Sequence, residues 1–323
     1  MIEYPIKFRP ILQDKIWGGS KLRDILQKDT NREHVGESWE ISGVEGFISV
    51  VENGEAKGKN LRELIEEHKE SLVGQKIYKE FGNNFPLLIK FIDAKTNLSV
   101  QLHPNDELAR QRHNSSGKTE MWYIIQADKG SKLNIGFNKA LDKREYLEYL
   151  EEGKITDLLN FEEVKKGDSL FIKTGTVHAI GGGILLAEIQ QTSDITYRIY
   201  DWNRLDSEGN SRDLHTALAL DAIDFEKKDD YWLEYEKREN RSSEITSCEY
   251  FTTNFLSIKD EVKKDYSSLD SFVVYMCING KAVINLNGNS ESLKKGQTLL
   301  LPALANKVEI NANGAELLEI YIE

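Results

Sequence analysis

The chain has 323 residues, of which 39% are hydrophobic and 30% charged, and its formal net charge is −12. This length favours two domains or one large all-β body, and the negative charge argues against general nucleic-acid binding. Two cysteines outside any Cys-x-x-Cys pair leave room for one bridge at most and give no support for a cysteine zinc site. No signal pattern or membrane-length apolar run is present, so we expect a cytoplasmic protein without membrane contact.

Helix signals concentrate in the early part of the chain. Asn60 followed by Glu63 is typical of a capping box, and leucine and isoleucine residues keep helical spacing behind it. A second stretch, at residues 143–159, places apolar side chains on one side and predicts another helix.

Strand signals dominate elsewhere. Runs rich in β-branched and aromatic residues predict strands at 87–92, 121–125, 184–189 and 196–200. In the tail, three Asn-Gly pairs predict successive hairpins with type I′ turns: Asn279-Gly280, Asn287-Gly288 and Asn313-Gly314. Closing such a sheet removes its exposed edges, so we expect a small barrel there. The polar run 237–241 indicates a charged connector between two β-rich halves.

Four polar residues have the chemistry of a metal site. Gln101 and His103 alternate along a predicted strand, which would point both side chains to one face. Glu120 opens the next strand run, and His178 follows the turn after the run 169–172. Two imidazole nitrogens and a carboxylate oxygen suit zinc or a similar divalent metal, and Gln101 could add an amide oxygen. Spacing alone leaves the alternative that these are ordinary, satisfied polar side chains.

Ordered motifs run through the first two-thirds of the chain. They are KIWGG (15–19), GESW (36–39), PLLIK (86–90), SVQLHP (99–104), GKTEMW (117–122) and GTVHA (175–179). Gly167, Lys173, Gly175 and His178 resemble the second cupin signature, with Lys173 where proline is usual, while a polar insertion stretches the first signature. Together these motifs resemble type I phosphomannose isomerases, in their compact bacterial form.

The resemblance implies a mainly β fold of two cupin-type (jelly-roll) barrels, with helical decorations on the first. It implies a metal-binding catalytic domain at residues 1–236 and a cupin-like barrel without metal at residues 237–323. In that second barrel Lys307 stands where His178 stands in the first, and no histidine follows His215. The implied cofactor is one Zn²⁺ per chain, held by Gln101, His103, Glu120 and His178.

The implied reaction is the interconversion of mannose 6-phosphate and fructose 6-phosphate through an enediol intermediate. Glu188 is the candidate base between C1 and C2, with a structural carboxylate as the alternative. The Arg198 guanidinium suits the phosphate, and Lys118 is expected to contact phosphate or to donate a proton to a sugar oxygen. Further substrate-pocket positions are Trp17, Glu37, Lys90 and Ser99.

Two positions depart from the longer members of the family. Gly117 and Ile180 stand where those members often carry His and Tyr, so we expect no proton transfer by such side chains here. The alternative function is a non-catalytic cupin sugar-phosphate sensor, against which the lysines, Arg198 and the full ligand set favour catalysis. The expected partner is a small sugar phosphate; the oligomeric state, the native metal and the wider substrate range stay open.

Overall fold

A computed structural model of the chain describes residues 2–205 and 208–323, and strands predominate in it. The strands are β1 (Ile6–Arg9), β2 (Ile11–Gly19), β3 (Val35–Ile41), β4 (Val50–Val51), β5 (Leu87–Ala94), β6 (Val100–Leu102), β7 (Glu120–Ala127), β8 (Lys132–Phe137), β9 (Leu159–Glu163), β10 (Ser169–Ile172), β11 (His178–Ala179), β12 (Ile184–Gln191), β13 (Tyr197–Tyr200), β14 (Ser242–Ser247), β15 (Thr252–Ile258), β16 (Glu261–Asp265), β17 (Val273–Asn279), β18 (Lys281–Leu286), β19 (Asn289–Lys294), β20 (Thr298–Leu301), β21 (Lys307–Ala312) and β22 (Ala315–Tyr321).

Short helices precede and interrupt the strands of the first two-thirds. They are α1 (Lys21–Asp24), α2 (Leu61–His68), α3 (Glu70–Val73), α4 (Gln75–Phe81), α5 (Asp106–His113), α6 (Lys143–Glu151) and α7 (Thr216–Ala219), with a 3₁₀ turn at Ile155–Leu158. None of the helices in residues 2–205 and 208–323 has both the length and the apolar character that a membrane crossing requires.

Two helix predictions have different outcomes. The capping box at the start of α2 is confirmed, because the Asn60 side chain accepts from the Glu63 N–H at 2.9 Å and the Glu63 carboxylate accepts from the Asn60 N–H at 2.8 Å. The helix expected over 143–159 is shorter than predicted, since α6 ends at Glu151. Gly153, with φ of +68°, turns the chain there, and a separate 3₁₀ turn follows.

The strands form four sheets. A six-stranded sheet has the order β10-β7-β12-β5-β2-β3, and a five-stranded sheet has the order β13-β6-β11-β8-β9. Their side chains pack together in one apolar cluster, and we call these two sheets the first sheet pair. A seven-stranded sheet, β14-β15-β22-β17-β20-β1-β4, packs in the same way against a four-stranded sheet, β16-β21-β18-β19, and these form the second sheet pair.

The six-stranded sheet is buried on both faces, and strand alternation divides its residues between them. In β5, Ile89 and Phe91 belong to the cluster shared with the seven-stranded sheet and helices α2 to α4. Lys90 lies between them in sequence and is directed to the other face, toward the five-stranded sheet. The same alternation in β7 and β12 directs Trp122 and Glu188 to that inner face, between the two sheets.

The Asn-Gly pairs do not all form hairpins. Asn287 and Gly288 have φ of +49° and +83° and join the paired strands β18 and β19, so this hairpin prediction is confirmed. The other two predictions are wrong, because β17 and β18, like β21 and β22, lie in different sheets. Asn279-Gly280 and Asn313-Gly314 instead turn the corners between the two sheets. A Cβ on Gly280 would lie 2.2 Å from the Gly314 carbonyl oxygen, so the corners meet too closely for a side chain.

Candidate active site

A cavity of about 330 Å³ opens between the two sheets of the first sheet pair. Nine of the predicted site residues line it: Trp17, Glu37, Lys90, Ser99, Gln101, Lys118, His178, Glu188 and Arg198. The remaining two, His103 and Glu120, lie beneath the cavity with 1% of their surface exposed. Residues separated by up to 181 positions in sequence are therefore gathered at one place by the alternation and register of the strands.

His103, Glu120 and His178 bring three donor groups within 4.8 Å of one another. His103 Nε2 lies 3.2 Å from Glu120 Oε1, and His178 Nε2 lies 3.8 Å from Glu120 Oε2. The Gln101 side-chain amide is 3.4 Å from His178 Nε2. Because Glu120 begins a strand of one sheet while His178 lies in a strand of the other, the cluster joins the two sheets.

Both imidazole rings are held by their outer nitrogens. His103 Nδ1 lies 2.8 Å from the Ile195 carbonyl oxygen, and His178 Nδ1 lies 2.9 Å from the Thr176 carbonyl oxygen. Burial, followed by the nearby Lys118 charge, lowers the pKa of His103 to about 3, and burial also lowers the pKa of His178. Both rings are thus neutral, with the Nδ1 proton donated outward and the Nε2 lone pair directed inward.

The inner atoms of this cluster have no hydrogen-bond partners among the described residues. This holds for His103 Nε2 and for both carboxylate oxygens of Glu120, although the Lys118 ammonium lies 3.0 Å from one of those oxygens. Burial opposes ionisation of Glu120, but Lys118, His103 and His178 together outweigh it and hold the pKa of that carboxyl well below its usual range. Buried lone pairs without a donor are costly. A divalent cation would satisfy all three, so the donor set fits a metal.

Beside the metal-binding group, a row of side chains from directly paired residues runs across the strands of the six-stranded sheet. Trp39 pairs with Lys90, Lys90 with Glu188, and Glu188 with Trp122. The Glu188 carboxylate lies 3.0 Å from the Lys90 ammonium and accepts from the Trp122 indole N–H at 2.9 Å. Burial and the neighbouring Glu120 charge raise the pKa of Glu188, which is 3% exposed. A carboxylate so held is a stronger base than one in water.

On the five-stranded sheet, which lies opposite, directly paired residues form another row, and Arg198 is at its end. There His178 pairs with Gln101, and Gln101 pairs with Arg198 on the edge strand β13. The guanidinium donates to Ser99 Oγ at 3.3 Å and to the Asp213 carbonyl oxygen at 2.8 Å. This row runs outward from the metal-binding group, so Arg198 lies at the end of the cavity away from His178.

Glu37 and Trp17 belong to the wall formed by β2 and β3. The Glu37 carboxylate accepts from the Trp39 indole N–H at 2.6 Å and lies 3.4 Å from the Lys15 ammonium. Burial opposes ionisation of Glu37, yet Lys90 and Lys15 lower its pKa. Trp17 is 4% exposed and packs in the apolar cluster between the sheets.

Sequence reasoning did not assign nine of the residues that line the cavity: Lys15, Trp39, Ile92, Leu98, Trp122, Ile180, Asp194, Thr196 and Arg212. Trp39 follows Glu37 by two positions, so strand alternation alone would have placed both on one face. Arg212 had no comparable signal, because it lies in a polar stretch outside the strands and helices.

The fold and this site define a class of cupin proteins. Residues 6–137 match the model for "Phosphomannose isomerase type I, catalytic domain", and residues 242–322 match "Mannose-6-phosphate isomerase, cupin domain".

The chain belongs to the family of type I mannose-6-phosphate isomerases. It is 36% identical to mannose-6-phosphate isomerase ManA of Bacillus subtilis over 94% of each chain, and 36% identical to mannose-6-phosphate isomerase of Streptococcus mutans over 92% of each. The crystal structure of mannose 6-phosphate isomerase from Bacillus subtilis superimposes with a TM-score of 0.90 and 34% identity, covering 99% of this chain and 100% of that one. The family prediction made from the motifs is confirmed.

Proposed function

We propose that the protein is an isomerase that interconverts mannose 6-phosphate and fructose 6-phosphate with one bound zinc ion. The observation that supports this most strongly is the group of buried, unpartnered donor atoms of His103 and Glu120 at the foot of a cation-lined cavity. Membership of a family whose curated relatives are mannose-6-phosphate isomerases supplies the reaction.

Gln101, His103, Glu120 and His178 are the proposed ligands. When bound, zinc polarises the sugar carbonyl and stabilises the negative charge that develops on the enediolate oxygens. The chain itself fixes the ligand geometry, since the carbonyl oxygens of Ile195 and Thr176 orient the two imidazoles.

Glu188 is the proposed base that carries a proton between C1 and C2 of the sugar. It lines the cavity, it is buried, and its pKa is raised, so its carboxylate is a stronger base than an exposed glutamate. Lys90, 3.0 Å from one of its oxygens, keeps the ionised form available between turnovers. Lys118 is proposed to donate to a sugar oxygen, because its ammonium lies at the cavity wall beside Glu120.

Arg198 is the proposed phosphate ligand. It lines the end of the cavity away from His178, and a sugar phosphate has its phosphate at the end of the carbon chain remote from the reacting carbonyl. Trp17, Glu37, Lys90 and Ser99 are proposed to line the sugar between these ends. A non-catalytic sensor is not favoured, since the curated relatives over the same length are enzymes.

We further propose that each sheet pair is one cupin-type barrel, with the helices decorating the first. The domain boundary proposed after residue 236 assigns β14 to β22 to the second barrel, while β1 and β4 of the first domain join its seven-stranded sheet. A cytoplasmic location also stays a prediction.

The test is an assay that couples formation of fructose 6-phosphate from mannose 6-phosphate to a reporter enzyme, with purified zinc-loaded protein. We expect turnover that a chelator abolishes and added zinc restores. Running the reaction in deuterated water examines the enediol route, because a proton held by Glu188 exchanges with solvent in part. Absence of turnover by the zinc-loaded protein would contradict the proposed function, and product without solvent deuterium would contradict the exchange expected of the Glu188 route.

A further inference from the structure

The segment after β13 returns to Arg198 and forms one side of the cavity. The Arg198 N–H donates to His215 Nδ1 at 3.1 Å, and the His215 N–H donates to the Arg198 carbonyl oxygen at 2.7 Å. The Arg198 guanidinium also donates to the Asp213 carbonyl oxygen. Residues 213–215 are therefore fixed against β13, and Arg212, which precedes them, lines the same cavity as Arg198.

Arg212 is oriented by a buried carboxylate. Its Nε donates to Asp201 Oδ2 at 2.7 Å and its Nη2 donates to Asp201 Oδ1 at 2.5 Å, a bidentate pair. Asp201 is 6% exposed, whereas the Arg212 side chain is 28% exposed. This pairing uses one edge of the guanidinium, and the two N–H bonds of Nη1 have no acceptor among the described residues.

The cation of this cavity that has no carboxylate within ion-pair distance among residues 2–205 and 208–323 is Arg198. Deeper in, the ammonium groups of Lys90 and Lys118 each lie 3.0 Å from a carboxylate, Glu188 and Glu120. The Arg198 and Arg212 guanidinium groups both line the same cavity, and burial, followed by repulsion from the Arg212 charge, lowers the pKa of Arg198. An anion between them would relieve that repulsion.

We propose that Arg212, oriented by Asp201, is a second phosphate-binding residue and that it acts together with Arg198 to make the site specific for phosphorylated sugars. The inference rests on the proposed function for the identity of the anion. The hydrogen bonds of Arg198 leave its Nη2 available and those of Arg212 leave its Nη1 available, so the two residues that line this cavity can offer four N–H bonds to a dianionic group. Asp201 is a positioning residue, since it contacts Arg212 and not the substrate.

The first experiment compares three variants of the zinc-loaded protein. Arg212→Ala is expected to raise KM for mannose 6-phosphate by about ten- to a hundredfold, the effect of one or two charge-assisted hydrogen bonds, with a smaller change in kcat. Arg212→Lys keeps the charge but loses the fork, so it should recover only part of the affinity. Arg204→Ala is the matched control: Arg204 lies 3.9 Å from the same Asp201 carboxylate but does not line the cavity.

The control decides between a specific contact and general charge. Arg204→Ala should change KM by less than about fivefold. An equal rise in KM in Arg204→Ala and Arg212→Ala would overturn the proposal, as would a KM in Arg212→Ala that stays at the wild-type value. Thermal melting of each variant shows whether the fold is retained.

Asp201→Asn tests whether Asp201 orients Arg212, because a positioning role and a purely electrostatic role predict opposite changes in KM. If charge alone mattered, removing an anion from the site would strengthen phosphate binding and lower KM. If Asp201 orients Arg212, the loss of the bidentate pair raises KM by about three- to tenfold despite the extra positive charge. A lower KM would overturn the positioning role.

Binding of inorganic phosphate, followed by calorimetry, separates this inference from the proposed isomerase activity. Wild-type protein should bind phosphate with an affinity that falls about tenfold or more in Arg212→Ala. If the wild type binds phosphate in this way but shows no turnover, the proposed function fails and the anion site stands. If turnover is present and phosphate affinity is the same in wild type and Arg212→Ala, the inference fails and the isomerase stands.

Discussion

The first and second sheet pairs share a strand order, and one row of residues can be followed across both. The order β10-β7-β12-β5 in the six-stranded sheet corresponds to β20-β17-β22-β15 in the seven-stranded sheet. The paired row is Leu170, Trp122, Glu188 and Lys90 in the first sheet, and Leu299, Tyr275, Glu319 and Asn254 in the second. Each row therefore carries a buried glutamate at the same place.

The two glutamates differ in the number of their partners. Glu188 is contacted by Lys90 and Trp122. The donors to Glu319 are Lys264, Ser242, Asn254, Tyr266 and Tyr275. Burial is the largest influence on both, but it raises the pKa of Glu188, whereas Lys264 and the hydrogen bonds outweigh it and lower the pKa of Glu319. A carboxylate with few partners is suited to accept a proton, and one with many is suited to hold strands together.

The two sheet pairs also differ at the positions that hold the proposed metal ligands in the first. Gln101 pairs with His178 in the five-stranded sheet of the first sheet pair. The corresponding residues in the four-stranded sheet are Asp265 and Lys307, which also pair with each other. Glu120 lies two residues before Trp122, and Val273 lies two residues before Tyr275. The second sheet pair thus has the framework of the first, but Lys307 stands in the place of His178 and Val273 in the place of Glu120.

The largest effect on activity should come from substitution of the proposed metal ligands. His178→Ala and His103→Ala are each expected to lose bound zinc and to lose more than about a hundredfold of the activity. Loss of a residue that only orients a metal ligand costs about 10–100-fold, so loss of a ligand itself should cost more. Lys307→Ala, at the corresponding place in the second sheet pair, should keep zinc and activity. Metal analysis of the purified variants is the measurement. Full zinc occupancy in both histidine variants would contradict the ligand assignment.

The two buried glutamates provide the next test. Glu188→Gln is nearly isosteric, so it should retain zinc and fold while kcat falls by about 10²–10⁴-fold, the usual contribution of a general base. Glu319→Gln should leave kcat nearly unchanged. Steady-state kinetics on the two variants decides the comparison: a fully active Glu188→Gln would remove this residue from the mechanism.

Glu319 should contribute stability instead of activity, and the contribution should depend on pH. Its pKa is lower in the folded state than in the unfolded state, so its stabilisation is fully present above the unfolded value of about 4.3 and is lost as pH falls through the folded value. At neutral pH Glu319→Gln should reduce the free energy of unfolding by about 1.5–3 kcal/mol.

Urea unfolding of wild type and Glu319→Gln across a pH series measures this difference, which should shrink as the solution becomes more acidic. Glu244→Gln is the control, since Glu244 pairs with Asn254 in the same row but is exposed. A difference between wild type and Glu319→Gln that stays constant with pH would contradict the lowered pKa.

The smallest effects on activity should come from the turns of the second sheet pair. Gly288→Ala places a side chain at φ of +83° with open space around it, which should cost about 1 kcal/mol of stability. Gly280→Ala has a similar backbone conformation, and its Cβ would also meet the Gly314 carbonyl oxygen, so it should cost more. Both variants should keep wild-type kcat. Equal losses of stability, measured by thermal melting, would contradict the close contact between the two corners.

Local sequence predicted the strands and the capping box well, because the pattern that sets them lies within a few residues. It predicted the pairing of strands poorly: Asn-Gly favours the turn of Asn287-Gly288, but nothing local distinguishes a hairpin from a corner between two sheets. The site residues could be selected from spacing and from family resemblance. Arg212 could not, because its place in the cavity depends on the bidentate contact with Asp201 and on a segment fixed against β13.

Strand β1 has a consequence for the order in which the molecule is built. Ile6 pairs with Leu300, so a strand near the start of the chain lies between β20 and β4 in the seven-stranded sheet. During synthesis β4 emerges early, but β20 emerges only after nearly the whole chain, so the edge of β1 that faces β20 stays unpaired until then. Completion of this sheet is a late, long-range event, and a chain shortened at its beginning would leave the β20 edge open to pairing with other molecules.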